Sequence, residues 1–350
     1  MISTRLFITV DTEVCAYDPE VDTPDTQIWG KTVDGKDYGI GFIMDELAVR
    51  EWFCTFFLNV YDTNLWGDET VASIARNIKS RDFDVQLHTH VKNGLSSFSL
   101  ADQRRILNEG AERLKKWTGV RPVWHRAGNL CANLDTVRAC AVEGFVGDSS
   151  YLYGWPQCVS LGTPVVTGIP TGSEDKKPIG IRNQSRSLEG ILELPITTFR
   201  TLPLFHNYRH LDLDACTYGE LISIVRQAAR QGLPQVVMLM HSFSFVRRTE
   251  QGYVANLENV TKFKKFLSAV AEVDKLIVVP LNSSLPSFSG GGSKEAGIGH
   301  SDLSSGLLLT YHRAWSHWGR SWKHKLLILL PLVILFILGV LVFCIRIYWR

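Results

Sequence analysis

The chain is short of the features that mark several protein classes. Its seven cysteines, at positions 15, 54, 131, 140, 158, 216 and 344, are odd in number and form no CxxC pair. Neither a disulfide framework nor a zinc-knuckle pattern is indicated, and a reducing compartment is expected. Net charge is equally scarce: 37 basic against 35 acidic residues leave +2. A protein that holds nucleic acid by bulk charge needs a strong basic excess, so no nucleic-acid partner is expected. No GxGxxG and no GxxxxGK[ST] is present to cradle a nucleotide phosphate. The opening MISTRLFITVD has too short an apolar run for a signal h-region. With 45% hydrophobic and 21% charged residues over 350 positions, disorder and fibre are excluded and two domains, or one large barrel with extras, are allowed.

What is present is unevenly spread. Leu326 to Ile345 is an uncharged run of 20 residues, enough at 1.5 Å per residue to cover about 30 Å, so a transmembrane helix is expected there. Before it, over 307–325, Leu308, Tyr311, Trp315, Trp318 and Trp322 recur at helical spacing, with Arg313, Arg320, Lys323 and Lys325 around them. Such an amphipathic helix suits a bilayer surface, with membrane lipid as its partner; a protein-docking helix is the alternative. Residues 283–306 are rich in Ser and Gly and read as a flexible linker. Four basic residues precede the span, while Arg346 and Arg350 follow it. This bias predicts a tail-anchored, single-pass membrane protein with residues 1–282 in the cytoplasm.

Within residues 1–282, β-branched or aromatic runs alternate with helical patterns. Leu6–Val10, Phe53–Val60, Val85–Leu87, Pro122–Trp124, Val236–Met240 and Leu276–Val279 read as strands. Ile40–Arg50, Glu69–Lys79, Leu100–Trp117, Leu134–Glu143, Cys216–Gln231 and Leu257–Val273 read as helices. The alternation predicts an α/β fold with a parallel sheet, a (β/α) barrel in preference to an open doubly wound sheet. The stretch Gly162–Gly190 is loop-like.

Chemistry concentrates at strand ends. The first strand runs into Asp11 and Glu13, the third into His88 and His90. Side chains two apart on a strand share a face, so two carboxylates and two imidazoles are presented together. Either motif alone also suits a cap or a hydrogen-bonded surface pair. Together they suit a catalytic metal site with open positions and one acid left over as a base. Arg126 in WHRAGN and His241 in VVMLMHS sit at strand ends too. Arg126 also suits a structural ion pair. His241 suits either a core position or a proton donor, its ordinary pKa lying near neutrality.

In this order the residues resemble the polysaccharide deacetylase family, the NodB-homology or carbohydrate esterase family 4 enzymes. The resemblance is carried by Thr9-Val10-Asp11-Thr12-Glu13, His88-Thr89-His90, Arg126 to Asn129, Leu239 to Ser242, and Gly147-Asp148-Ser149-Ser150 with Trp155 after it. It implies a distorted (β/α)7 barrel and hydrolysis of an acetyl or formyl group from an amino sugar, in cell-surface polysaccharide or lipid-linked glycan biosynthesis. It implies a divalent metal, zinc first with cobalt, nickel, manganese or iron as alternatives. By the same resemblance Asp11 is the base, Glu13, His88 and His90 are the ligands, Arg126 holds the base, His241 is the acid, and Asp148 is a further catalytic residue. Two departures stand out. Thr12 occupies the place of a second aspartate, and the histidines are two apart where the family commonly has them four apart. Divergent branches of the family also cut amides in non-sugar substrates. That activity, and a catalytically silent glycan-binding or scaffold protein, are the alternatives.

Overall fold

The computed structural model describes residues 3–15, 18–153, 155, 183, 185–201, 208–283 and 303–318. These fall into two compact units, the first Met1–Phe199 with Tyr208–Leu303 and the second Arg200–Asn207 with Ser304–Arg350.

The first unit is built on strands β1 (Thr4–Thr12), β2 (Thr55–Asn59), β3 (Asp84–Thr89), β4 (Trp124–Ala127), β5 (Gly147–Asp148), β6 (Arg186–Leu188), β7 (Ile191–Glu193), β8 (Thr198–Arg200), β9 (Tyr208–His210), β10 (Gln235–His241), β11 (Val246–Thr249), β12 (Gly252–Ala255) and β13 (Leu276–Val278). The helices are α1 (Ile40–Ala48), α2 (Thr63–Trp66), α3 (Asp68–Ser80), α4 (Leu100–Thr118), α5 (Leu134–Val142), α6 (Tyr218–Gln231) and α7 (Leu257–Val270). Leu6, Ile8 and Val10 are fully buried and Phe7 nearly so, as a parallel strand covered on both faces requires. Helix α4 shows how local rules place a crossover. Ser99 accepts from the Asp102 N–H at its start, Gly119 adopts φ 76° just past its end, and Ile106, Leu107, Gly110, Ala111, Leu114 and Trp117 form one buried stripe.

Nine strands form the main sheet, in the order β10-β1-β2-β3-β4-β5-β7-β6, with β13 also on β1. One edge of β1 pairs with β10 along its length; the other is shared, β13 taking Thr4–Leu6 and β2 taking Thr9–Thr12. The pairings from β10 through β5 to β7 are parallel.

Two expectations are corrected here. The distorted (β/α)7 barrel is found as a curled half-barrel sheet with helices. Strand β5 is only two residues long, and β6 packs antiparallel on β7, occupying the edge where a further parallel strand would close the ring. The second correction concerns the membrane. Among the described residues no helix is long and apolar enough to cross one. The longest, α4, has nineteen residues but a charged outer face, and the segment 326–345 lies outside the described residues. The tail-anchored placement and the lipid partner that rested on that segment are therefore not supported.

In the second unit Gly306–Trp318 forms helix α8, where an amphipathic helix was expected at 307–325. Its 13 residues span about 20 Å, too short for a bilayer. Thr310 Oγ1 donates to the Thr201 carbonyl at 2.5 Å within that unit. Most of the expected linker (284–302) and of the 162–190 loop lies outside the described residues.

Candidate active site

Parallel register decides which side chains meet. Asp11 lies opposite His241 on β10 and Phe57 on β2. His88 lies opposite Asn59 on β2 and Arg126 on β4. Residues opposite one another share a face, and so do residues two apart. Asp11, Glu13, Phe57, Asn59, His88, Arg126 and His241 therefore all point to one side at the C-terminal ends of adjacent strands.

Among the described residues Arg126 is the largest fully buried side chain. Its Nη1 donates to Asp11 Oδ1 at 2.7 Å and to Thr9 Oγ1 at 3.0 Å; Nε and Nη2 donate to the carbonyl and hydroxyl of Ser149, both at 3.0 Å. The guanidinium lies 4.3 Å from the centre of the Phe57 ring. A planar, permanently charged fork can satisfy all these acceptors at once. It fixes Asp11 through one oxygen, Oδ1.

Beside this pair, Glu13 Oε2 receives both imidazoles, His90 Nδ1 at 2.5 Å and His88 Nε2 at 3.1 Å. Burial pushes the Glu13 carboxyl up, but His88 and His90 more than offset it and hold it well below the usual carboxylate range. The hydrogen bond to Glu13 raises His90 in turn, against the opposing effect of burial. The three donor atoms lie within 4.8 Å of one another. Two imidazole nitrogens and one ionised carboxylate are a donor set suited to a divalent cation such as zinc, with coordination positions left open. His88 Nδ1 is buried without a partner among the described residues, so packing orients that ring. Asn129, at φ 51°, donates to His90 Nε2 at 2.9 Å, and its carbonyl accepts from Trp155 Nε1 at 3.0 Å. Gly128 backs the same imidazole: a Cβ there would stand 2.5 Å from His90 Cα.

Three groups outside the predicted set complete the site. Asp214 lies 3.8 Å from His241 Nδ1 and is itself fixed by Ser244 Oγ at 2.6 Å and Asn259 Nδ2 at 2.7 Å. The His241 ring stacks on Phe243 at 4.9 Å. Burial lowers the His241 pKa, but Asp214, Asp11, Glu13 and Asp212 together push it up to about 9. Asn59 and Asp62 stand behind the ligand cluster; burial and the Glu13 charge raise the Asp62 carboxyl to about 7. In the sequence these residues form no recognisable spacing with the motifs they serve.

Asp148, expected among the catalytic residues, lies elsewhere. It is opposite His125 in the β4–β5 register, so it shares the face of His125 and not that of Arg126. Both are fully buried, with His125 Nδ1 2.6 Å from Asp148 Oδ1 and His125 Nε2 2.9 Å from Thr89 Oγ1. Ser150 adds two more hydrogen bonds to the carboxylate, and Cys140 of α5 lies alongside. Burial raises the Asp148 carboxyl, but the hydrogen bond and charge of His125 outweigh it and hold the carboxyl below its ordinary value. This closed network ties β5 to β4 on the helix-covered side.

No family profile matches the sequence, and no curated protein matches it. Solved structures do. A Mycobacterium smegmatis protein classed as a polysaccharide deacetylase aligns at TM-score 0.50 and 18% identity, over 80% of this chain and 88% of the other. A family 4 carbohydrate esterase from Streptomyces lividans, solved with acetate, aligns at 0.42 and 10% identity over 79% and 93%. A peptidoglycan N-acetylglucosamine deacetylase aligns at 0.43 and 13% over 81% and 90%. At these identities the likeness is one of fold.

Proposed function

We propose that this chain, which has the polysaccharide deacetylase fold, is a metal-dependent hydrolase that removes an acetyl or formyl group from the nitrogen of an amino sugar in a glycan. The observation that carries this reading is the convergence of Glu13, His88 and His90 beside an arginine-held Asp11, with His241 across β1.

Amide hydrolysis needs water deprotonated at one point and the amine protonated at another. Asp11 takes the water proton: Arg126 binds Oδ1, which leaves Oδ2 as the oxygen for that proton. His241 gives a proton to the departing nitrogen, and its raised pKa keeps it charged at neutral pH. A divalent cation held by Glu13, His88 and His90 would supply Lewis-acid polarisation of the acyl carbonyl.

Two tests follow. Purified protein is expected to hold about one zinc, cobalt, nickel, manganese or iron ion per chain and to release acetate or formate from N-acyl amino sugars in a chelator-sensitive way. His88→Ala should lose both metal and release. Activity untouched by chelator and by His88→Ala would overturn the reading. The second test is the pH profile. Since His241 acts protonated, kcat should hold through neutrality and fall tenfold per pH unit above about 9. Asp214→Asn should bring that alkaline limb down toward the ordinary histidine value of about 6.5. A limb that stays in place would remove Asp214 from the proton-donating pair.

A further inference from the structure

The ligand-bearing backbone runs beyond the sheet. Strand β1 ends at Thr12 and β3 at Thr89, so the N–H groups of Val14 and His90 have left the ladders that fix Glu13 and His88 from below. Both are captured by side chains of one short turn after β2. Asn59 Oδ1 accepts from His90 N at 3.1 Å, and Asp62 Oδ2 accepts from Val14 N at 3.1 Å. Asn59 Nδ2 donates to Asp62 Oδ1 at 2.7 Å, joining the two halves. Asn59 also accepts from Tyr61 N at 3.3 Å, which locks it onto the 3-10 turn Val60–Asp62. Both side chains are almost fully buried, at 3% and 6% exposure.

We infer that Asn59 and Asp62 are positioning residues for the metal site: a side-chain brace that extends the β1–β2–β3 pairing one step past the strand ends and sets the separation of Glu13 from His90. This rests on the assignment of Glu13, His88 and His90 as ligands. It also accounts for histidines only two apart. His90 stands past the last laddered residue, and the brace supplies the backbone restraint that strand pairing no longer gives. The bond pattern is directional. Asn59 must turn its oxygen to His90, so its amide N–H₂ faces Asp62, and Asp62 must be an acceptor on both sides.

Directionality supplies the experiment. Zn²⁺ is titrated into the metal-free full chain against a competing chelator, with Co²⁺ absorption as a second readout of coordination, and metal-free variants are checked for an unchanged circular dichroism spectrum. Asn59→Ala removes the acceptor for His90. Asp62→Asn, nearly isosteric, sets amide donor against amide donor. Each should weaken Zn²⁺ binding about 10- to 100-fold, the range found when groups behind metal ligands are removed. The exchanged double variant N59D/D62N restores every bond with the inner donor reversed and the net charge unchanged. It should return affinity to within about threefold of wild type, a recovery that a loss of general stability would not show. Single variants that bind within twofold of wild type, or a double variant as weak as the singles, would overturn the brace while His88→Ala still abolished binding. A wild-type chain that binds no better than His88→Ala would overturn the ligand assignment and the brace with it.

Discussion

Asp11→Asn is expected to lower acyl release by about 10² to 10⁴-fold, the worth of a well-placed general base, with zinc still bound at one ion per chain. Asparagine keeps the shape and still accepts from Arg126 through its amide oxygen, so what is lost is the capacity to take a proton. Metal analysis and single-turnover acetate release on the same preparation separate this from a ligand defect. If Asp11→Asn strips the metal and Glu13→Gln retains it, the roles of the two carboxylates are exchanged. The geometry argues for the roles as given. Glu13 is the acid that receives both imidazoles, whereas Asp11 is bound to the arginine.

Arg126→Met is expected to cost about 3 to 5 kcal/mol of folding stability, read as a fall in the urea midpoint, and to abolish turnover. The change is large because it leaves Asp11 as an unpaired buried charge, strands Thr9 and Ser149 without their shared donor, and removes a cation from the face of Phe57. Arg126→Lys should recover only part of the loss. An ammonium can reach Asp11, but it cannot at the same time serve Thr9 and both Ser149 oxygens from one fork. A loss below about 1 kcal/mol for the methionine variant would mean that the pair is no more than an exposed ion pair in its energetics.

The long elements were legible because their periodicity was. Leu6–Val10 grew to Thr4–Thr12, and the helix at Leu100–Trp117 was found at Leu100–Thr118. The presentation of Asp11 with Glu13 follows from the two-residue repeat alone, whereas His88 joins their side through the register of β1, β2 and β3. His90 had left the strand and reached Glu13 by its Nδ1 edge, a detail that alternation cannot supply. The face that Asp148 takes was not legible for a related reason. Which face a residue occupies depends on register with its neighbour, and β5 is too short to show a pattern of its own. The open edge was hidden as well: β6 and β7 are three residues each, and nothing in their composition says that one runs antiparallel. Asp214, Asn59 and Asp62 meet their partners only through the fold. Asn59 lies 31 residues from His90, and Asp62 lies 48 from Val14.

The bare backbone at Gly128 has a bearing on how this site can change over generations. With His90 2.5 Å from where a methyl group would begin, even alanine would displace the loop carrying His90 or the turn that follows Arg126. Codon changes at 128 are thus filtered by crowding, not by chemistry. The histidine loop and the arginine turn must drift together or not at all, so a randomised library meant to retune the cleft should hold 128 constant and vary the surrounding positions as a linked set.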